Sequence, residues 1–380
     1  MRIILATPIY PPEIGGPATY AKELSRRLAK AEHITIVAFG TEAEAVEGVK
    51  IVMVRKDQSL LSRLVEYFFV LLREARVADT IYVQNAVASG LPAVLVGMLL
   101  RKPVVLKFVG DEAWERASQK GKTQKNLEAF LAAPEGGFSI SVFLSIQKFV
   151  LNHVSAVVPP SEFLGNILNA HYGVPASKIT VNYNAFEGTV ATEDTVARKP
   201  HQILSVSRLV TWKRVDGIIN ALKILKHNFP DVTLVVAGEG PEEAKLKKLA
   251  QELGVEASVT FLGRVLRADT DRLEKESGVM VLNSTYEGLP HIALESFATH
   301  TPLVATDIPG TREAVIHERS GLLVPQGDDA TLAVAIGRIF NEPELREKVV
   351  SGATELLREK FSWDQHIQNL LAVFSSLKEN

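Results

Sequence analysis

The chain has 380 residues, 46% hydrophobic and 23% charged, with no cysteine and a formal net charge of −2. That length exceeds one ordinary hydrophobic core and reads as two domains of roughly 150 to 200 residues each. The missing cysteine excludes a disulfide framework, a zinc-thiolate site and a thiol nucleophile, and the near-neutral charge gives no reason to expect nucleic acid as a partner.

In chain order, the apolar start Met1–Ala6 is too short for a signal h-region and is ended by Pro8, Pro11 and Pro12, so it predicts a strand and not an export signal. Gly15-Gly16-Pro17 and a helical pattern from Ala21 follow. A strand, a Gly-Gly turn and a helix start present free amides and a positive dipole end, which suit a phosphate or a polar sugar group; an ordinary strand-to-helix loop has the same composition. Further strands are expected at 34–39, 49–54, 80–83, 104–108, 156–159 and 179–181. The run Leu60–Leu72, with Arg63, Arg73 and Arg76, predicts a core-facing helix, with a membrane-surface helix as the alternative. Ala86–Leu100 is interrupted by Ser89, Gly90, Pro92 and Gly97 and falls short of the roughly 20 residues of a spanning helix. A cytoplasmic protein is expected, with peripheral contact at the inner face of the membrane as an option for the N-terminal domain. Residues 1–186 hold 20 Lys and Arg against 16 Asp and Glu, a net of +4 that leaves −6 for the remainder. This excess favours an anionic acceptor or membrane surface, and random asymmetry among solvated charges is the plainer explanation.

A polar stretch with few apolar anchors, from Glu187-Gly188-Thr189 to Arg198-Lys199-Pro200, marks a boundary, giving domains over 1–186 and 187–362. Strands are expected at 201–205, 233–237, 259–262, 279–282, 303–306 and 321–324. The last segment, 363–380, has helical apolar spacing at Ile367, Leu370, Leu371 and Phe374 and is expected to pack back on the first domain. Strand-helix alternation throughout predicts an α/β chain of two doubly wound, Rossmann-like domains facing a central cleft, with ligands at the carboxyl ends of the strands.

Three elements of the second half carry chemistry. Arg208 closes the strand 201–205 and Lys213 follows five residues later, so two cations at one strand end can neutralise a diphosphate, Arg by bidentate hydrogen bonds and Lys as a point charge. In Glu287-Gly288-Leu289-Pro290-His291-Ile292, the glycine permits close backbone approach and the following amides can point at phosphate. Glu295 lies in the first turns of the next helix. Of these two carboxylates, one can hold the donor sugar and the other a ribose, although carboxylates at this spacing also occur by chance. No G-x-G-x-x-G follows a strand at a helix start, which argues against a dinucleotide-binding dehydrogenase.

Gly15-Gly16, Ser207-Arg208-Leu209 with Lys213, Val236-Ala237-Gly238-Glu239-Gly240-Pro241, Val259-Thr260-Phe261-Leu262-Gly263 and the Glu287-to-Glu295 element stand in the order seen in family 4 glycosyltransferases of the GT-B fold. The chain resembles that family over nearly its whole length. The resemblance implies transfer of a hexose-type sugar, with retention of anomeric configuration, from a nucleotide-diphosphate sugar to a glycan, lipid-linked or small-molecule acceptor. It implies no divalent metal and no other cofactor, and no Asp-x-Asp pair is placed after a strand. It places Gly16 near the reaction centre, Arg208 and Lys213 on the diphosphate, Glu287 on the transferred sugar, Glu295 on the ribose hydroxyls and Gly263-Arg264-Val265 around the base. One departure stands out. The family commonly has a histidine before Gly-Asp after the strand 104–108, and this chain has Val109-Gly110-Asp111-Glu112. Asp111 or Glu112 is expected to take over the lost sugar contact, or else to stabilise a helix N-terminus. A nucleotide-sugar hydrolase or epimerase of the same fold, and a degenerate sugar-nucleotide binding protein, are the rival readings.

Overall fold

The computed structural model describes residues 1–13, 15–186 and 196–378. The chain divides into two units, Met1–Asn182 with His366–Asn380, and Tyr183–Gln365. The Glu187-Gly188-Thr189 stretch and the boundary expected at 187 lie outside the described residues.

Unit 1 contains β1 (Arg2–Thr7), β2 (His33–Phe39), β3 (Val49–Val54), β4 (Thr80–Gln84), β5 (Val104–Lys107) and β6 (Ala156–Val158), all parallel, in the order β3-β2-β1-β4-β5-β6. The strand expected at 179–181 is not a regular one. That segment runs beside β6 through Thr180 N to Val157 O (3.0 Å) and Asn182 N to Pro159 O (2.9 Å), too few bonds for a ladder. Unit 2 repeats the plan with β7 (Lys199–Val206), β8 (Thr233–Ala237), β9 (Val259–Gly263), β10 (Ser277–Leu282), β11 (Leu303–Thr306) and β12 (Leu322–Val324), ordered β12-β11-β10-β7-β8-β9.

Both faces of each sheet are covered by helices, so the central strands are continuous apolar runs without polar alternation. Every residue of β4, β5, β10 and β11 is buried, whereas the edge strand β9 alternates between partly covered and exposed positions. In each sheet the order of connection reverses once, between β1 and β4 and between β7 and β10. Loops leaving the carboxyl ends of such a pair diverge and open a crevice, the ligand position of doubly wound sheets.

From His366 onward the C-terminal helix Trp363–Ser376 belongs to unit 1. Its Leu370 and Phe374 are fully buried, and the His366 ring nitrogen Nε2 is 2.7 Å from the Tyr20 hydroxyl, which is 3.0 Å from that of Tyr82. Among the described residues no helix is long and apolar enough to cross a membrane.

Candidate active site

In unit 2 the crevice between β7 and β10 gathers most of the expected residues. After β7 the chain forms the turn Ser207-Arg208-Leu209 and a short 3-10 helix, Thr211–Lys213. Gly238 and Gly240 let the turn after β8 pass against it: a Cβ at Gly238 would lie 1.9 Å from Ser207 O and one at Gly240 2.3 Å from Leu209 O, and Gly238 has φ +141°. The Gly-Glu-Gly-Pro motif therefore braces the Arg208 turn. Arg208 itself is exposed, with no ion-pair or hydrogen-bond partner for its guanidinium among the described residues.

Two hydrogen bonds tie this loop to the one after β10. Thr285 N donates to Trp212 O at 2.7 Å, and Asn283 Nδ2 donates to Arg214 O at 3.0 Å. They bring Lys213 and Glu287 together, with Lys213 Nζ 2.6 Å from Glu287 Oε1, the same oxygen that accepts from Ser284 Oγ at 2.6 Å. Glu287 is 9% exposed. Gly288, Leu289 and Pro290 are buried behind it, and the helix His291–Ala298 begins at once. The first amides of that helix, including those of His291 and Ile292, have no intrahelical acceptor and carry the positive end of the dipole. A further contact was hidden from the sequence reading: Gly310, in the turn after β11, packs so closely that a Cβ there would be 2.0 Å from Glu287 O.

Glu295 is held by Arg267, whose Nη1 forms a very short ion pair with its Oε1 and whose Nε is 2.9 Å from Asp271 Oδ1. The Arg267 guanidinium also lies 5.1 Å from the centre of the Phe186 ring. Burial pushes the Glu295 carboxyl above its ordinary value against the pull of Arg267. Burial likewise lowers Arg267, but Glu295 and Asp271 more than restore it, leaving it raised. Beside them Glu274, on the helix Arg267–Glu276, is fully buried and pushed up to about 8, first by burial and then by the Glu295 charge. The triplet Asp269-Thr270-Asp271 lies inside this helix, its carboxylates facing Arg272 (3.6 Å) and Arg267. At the end of β9, Gly263 adopts φ +65° and its carbonyl accepts from Gly238 N at 2.8 Å; Arg264 is exposed and Val265 is half-buried.

In unit 1, Gly15 caps the helix Gly16–Leu28 and accepts from Ala18 N and Thr19 N at 3.0 and 3.1 Å. A Cβ at Gly15 would strike Ile9 Cδ1 at 2.7 Å, whereas among the described residues nothing lies within 4 Å of that position at Gly16.

The expectation for Asp111 is corrected. Its side chain is 0% exposed and caps the helix Glu112–Gln119: Oδ1 accepts from Trp114 N at 2.8 Å, and Oδ2 accepts from Gln147 Nε2 at 2.8 Å and, over a very short distance, from the Tyr172 hydroxyl. Burial pushes this carboxyl up while those donors pull it down. A side chain without exposed surface and with both oxygens engaged cannot receive a sugar hydroxyl. Glu112 is similarly committed, accepting from Ala86 N at 2.9 Å and Val87 N at 3.3 Å. Val109 is 49% exposed.

Comparison with known proteins bears on the family and the fold. Residues 15–185 match a family model described as a glycosyl transferase 4-like domain, and residues 192–356 match the model of the glycosyl transferases group 1. The fold and the two matches define a GT-B glycosyltransferase: the chain belongs to the group 1 glycosyltransferase family. It is 27% identical to an uncharacterised glycosyltransferase of Methanocaldococcus jannaschii, over 100% of this chain and 99% of the relative. A glycogen synthase of Mycobacterium tuberculosis is 24% identical over 96% of this chain and 92% of its own. Among solved structures, Anabaena HepE in complex with UDP shares the fold, with a TM-score of 0.77 at 20% identity over 99% of this chain and 100% of the other.

Proposed function

We propose that the chain moves a hexose-type sugar from a nucleoside-diphosphate donor to an acceptor with retention and without a metal ion. The observation that carries this reading is the convergence at the β7–β10 switch point of Lys213 paired to Glu287, a helix N-terminus, and Arg208, exposed and without a partner for its guanidinium among the described residues. Arg208 and Lys213 hold the diphosphate, and with the amides of Leu289, His291 and Ile292 they stabilise the charge that develops on it as the sugar becomes oxocarbenium-like. As the phosphate draws Lys213 toward itself, Glu287 is released to accept from sugar hydroxyls while Ser284 keeps its carboxylate oriented. Glu295 accepts from the ribose hydroxyls and Gly263-Arg264-Val265 surround the base. No protein carboxylate serves as nucleophile, unlike a retaining glycosidase. HepE was solved with UDP, which supports UDP as the first nucleotide to test.

Peripheral membrane contact belongs to the same reading. The helix Leu60–Ala75 does face the core, through Tyr67 and Leu71, yet its opposite side exposes Leu61, Val65 and Phe69 beside the exposed Leu95, Met98 and Leu99 of the helix Gly90–Leu100. Arg73, Arg76 and Arg101 stand exposed around this face, and the combination of apolar and basic groups fits an anionic bilayer surface.

A thermal-shift screen of nucleotide sugars tests the donor assignment: a ligand at 100 times its dissociation constant adds about 2.7 kcal/mol, and absence of stabilisation by every nucleoside-diphosphate sugar overturns it. Product NMR then reads the anomeric configuration, and inversion contradicts the mechanism. Co-sedimentation with vesicles containing anionic lipid tests the bilayer contact, which Leu61→Ser with Phe69→Ser should abolish; equal binding by wild type and variant would refute it.

A further inference from the structure

Glu274 has no part in the chemistry above, yet it is the most unusual carboxyl group of unit 2. It is fully buried, its Oε1 has no hydrogen-bond partner among the described residues, and its Oε2 accepts from Thr299 Oγ1 at 2.9 Å. Thr299 is the C-cap of the helix that carries Glu295, and Thr301 Oγ1 donates to the Glu274 carbonyl at 2.7 Å, so Glu274 is fastened to that helix at two points. On its own helix it faces Arg267 and Asp271, and from the neighbouring helix Glu295. At the start of β7, Lys199 is paired at 3.1 Å with Glu276 and Arg198 Nη1 donates to His300 O at 3.1 Å. Fully ionised, the inner cluster would place three carboxylates around the one guanidinium of Arg267. A buried carboxylate oxygen without a donor is costly as an ion and far less so as a neutral acid.

We propose that Glu274 is a proton-holding positioning residue of the nucleotide site: it remains a neutral acid so that Glu295 can be the charged acceptor for ribose, and nucleotide binding strengthens its hold on the proton. This rests on the assignment of Glu295 to ribose. The sign follows from charge. A bound diphosphate adds negative charge near the cluster, which disfavours ionised Glu274, so binding takes up a proton wherever the free protein has begun to lose it. The burial-raised value of about 8 puts that range in reach of ordinary buffers. Each unit by which nucleotide raises the Glu274 pKa costs tenfold in affinity once pH exceeds both values.

The test is calorimetric titration of UDP into the full chain between about pH 6.5 and pH 9, in buffers of different ionisation enthalpy. Wild type should take up a fraction of a proton near pH 8, and its affinity relative to Glu274→Gln should fall several-fold from about pH 7 to pH 9, while the variant takes up none. Wild-type proton uptake needs no variant, so poor folding of Glu274→Gln leaves the inference open to refutation. No uptake near pH 8, or the same pH profile in both proteins, overturns it. Glu295→Ala separates the two levels: undiminished UDP affinity in that variant defeats the ribose assignment and this inference with it, whereas weakened affinity together with no wild-type uptake defeats this inference alone. If none of UDP, GDP and ADP binds, the donor reading itself falls.

Discussion

Replacing Asp111 with alanine separates an architectural aspartate from a substrate-binding one. The substitution removes the cap of the helix Glu112–Gln119, typically about 1 kcal/mol, and strips an acceptor from two buried donors, Gln147 Nε2 and the Tyr172 hydroxyl. A buried donor left without a partner costs roughly 1–3 kcal/mol. Gln147 Nε2 and the Tyr172 hydroxyl also contact each other at 2.5 Å, so the low end applies to each and the total is about 3 kcal/mol. For a unit of this size that is a fall of roughly 6–12 °C in melting temperature. Asp111→Asn keeps a capping oxygen and should lose about half as much. Scanning calorimetry gives the transition, and donor turnover is measured on the same preparation well below it. The expected result is a lower melting temperature with near-normal turnover per folded molecule. A variant that melts like the wild type but has lost turnover would return Asp111 to the sugar site and refute the capping argument.

Other outcomes follow from the same contacts. Gly310→Ala forces the Glu287 carbonyl aside, and since a displacement of 1 Å at a reacting centre can cost on the order of a hundredfold, turnover should drop ten- to a hundredfold; unchanged kinetics would show that the loop tolerates the shift. Activity should persist in EDTA if, as proposed, two cations and helix-end amides neutralise the diphosphate, and complete, reversible loss on chelation would contradict that electrostatic account. Lys107 is buried and lowered to about 7, so between pH 7 and its ordinary value the unfolded chain binds more protons than the folded one and stability rises with pH. Lys107→Met should remove that rise, and parallel melting curves for the two proteins across pH 7 to 9 would refute the burial argument.

The doubly wound alternation was legible because parallel strands buried on both faces are short apolar runs between helical periods, and twelve of the thirteen expected strands form. Segment 179–181 reads the same way locally, and only its position beside β6 decides that it forms a bridge and no ladder. Arg208, Lys213 and Glu287 were legible as charges at strand ends. The pairing of Lys213 with Glu287 was not, because these residues are 74 positions apart and meet only when β7 and β10 are neighbours. Asp111 shows the opposite failure. An acidic residue before a helix suits a cap or a ligand equally in sequence, and the deciding partners, Gln147 and Tyr172, lie 36 and 61 residues away. Arg267 could have been suspected from its i,i+4 relation to Asp271. Glu274 left no such signal, since nothing in a lone helical glutamate announces complete burial.

The most direct test of the account is calorimetric titration of UDP into wild type, Glu287→Ala and Glu295→Ala. Loss of a carboxylate contact to a hydroxyl is worth roughly 1.5–3 kcal/mol, so Glu295→Ala should bind UDP about ten- to a hundredfold more weakly. Glu287→Ala removes the carboxylate proposed to touch the transferred sugar and frees its partner Lys213 for the diphosphate, so UDP should bind no more weakly while donor turns over far more slowly. Equal loss of UDP affinity in the two variants, or none in either, would contradict the division between ribose and sugar on which the reading of this site depends.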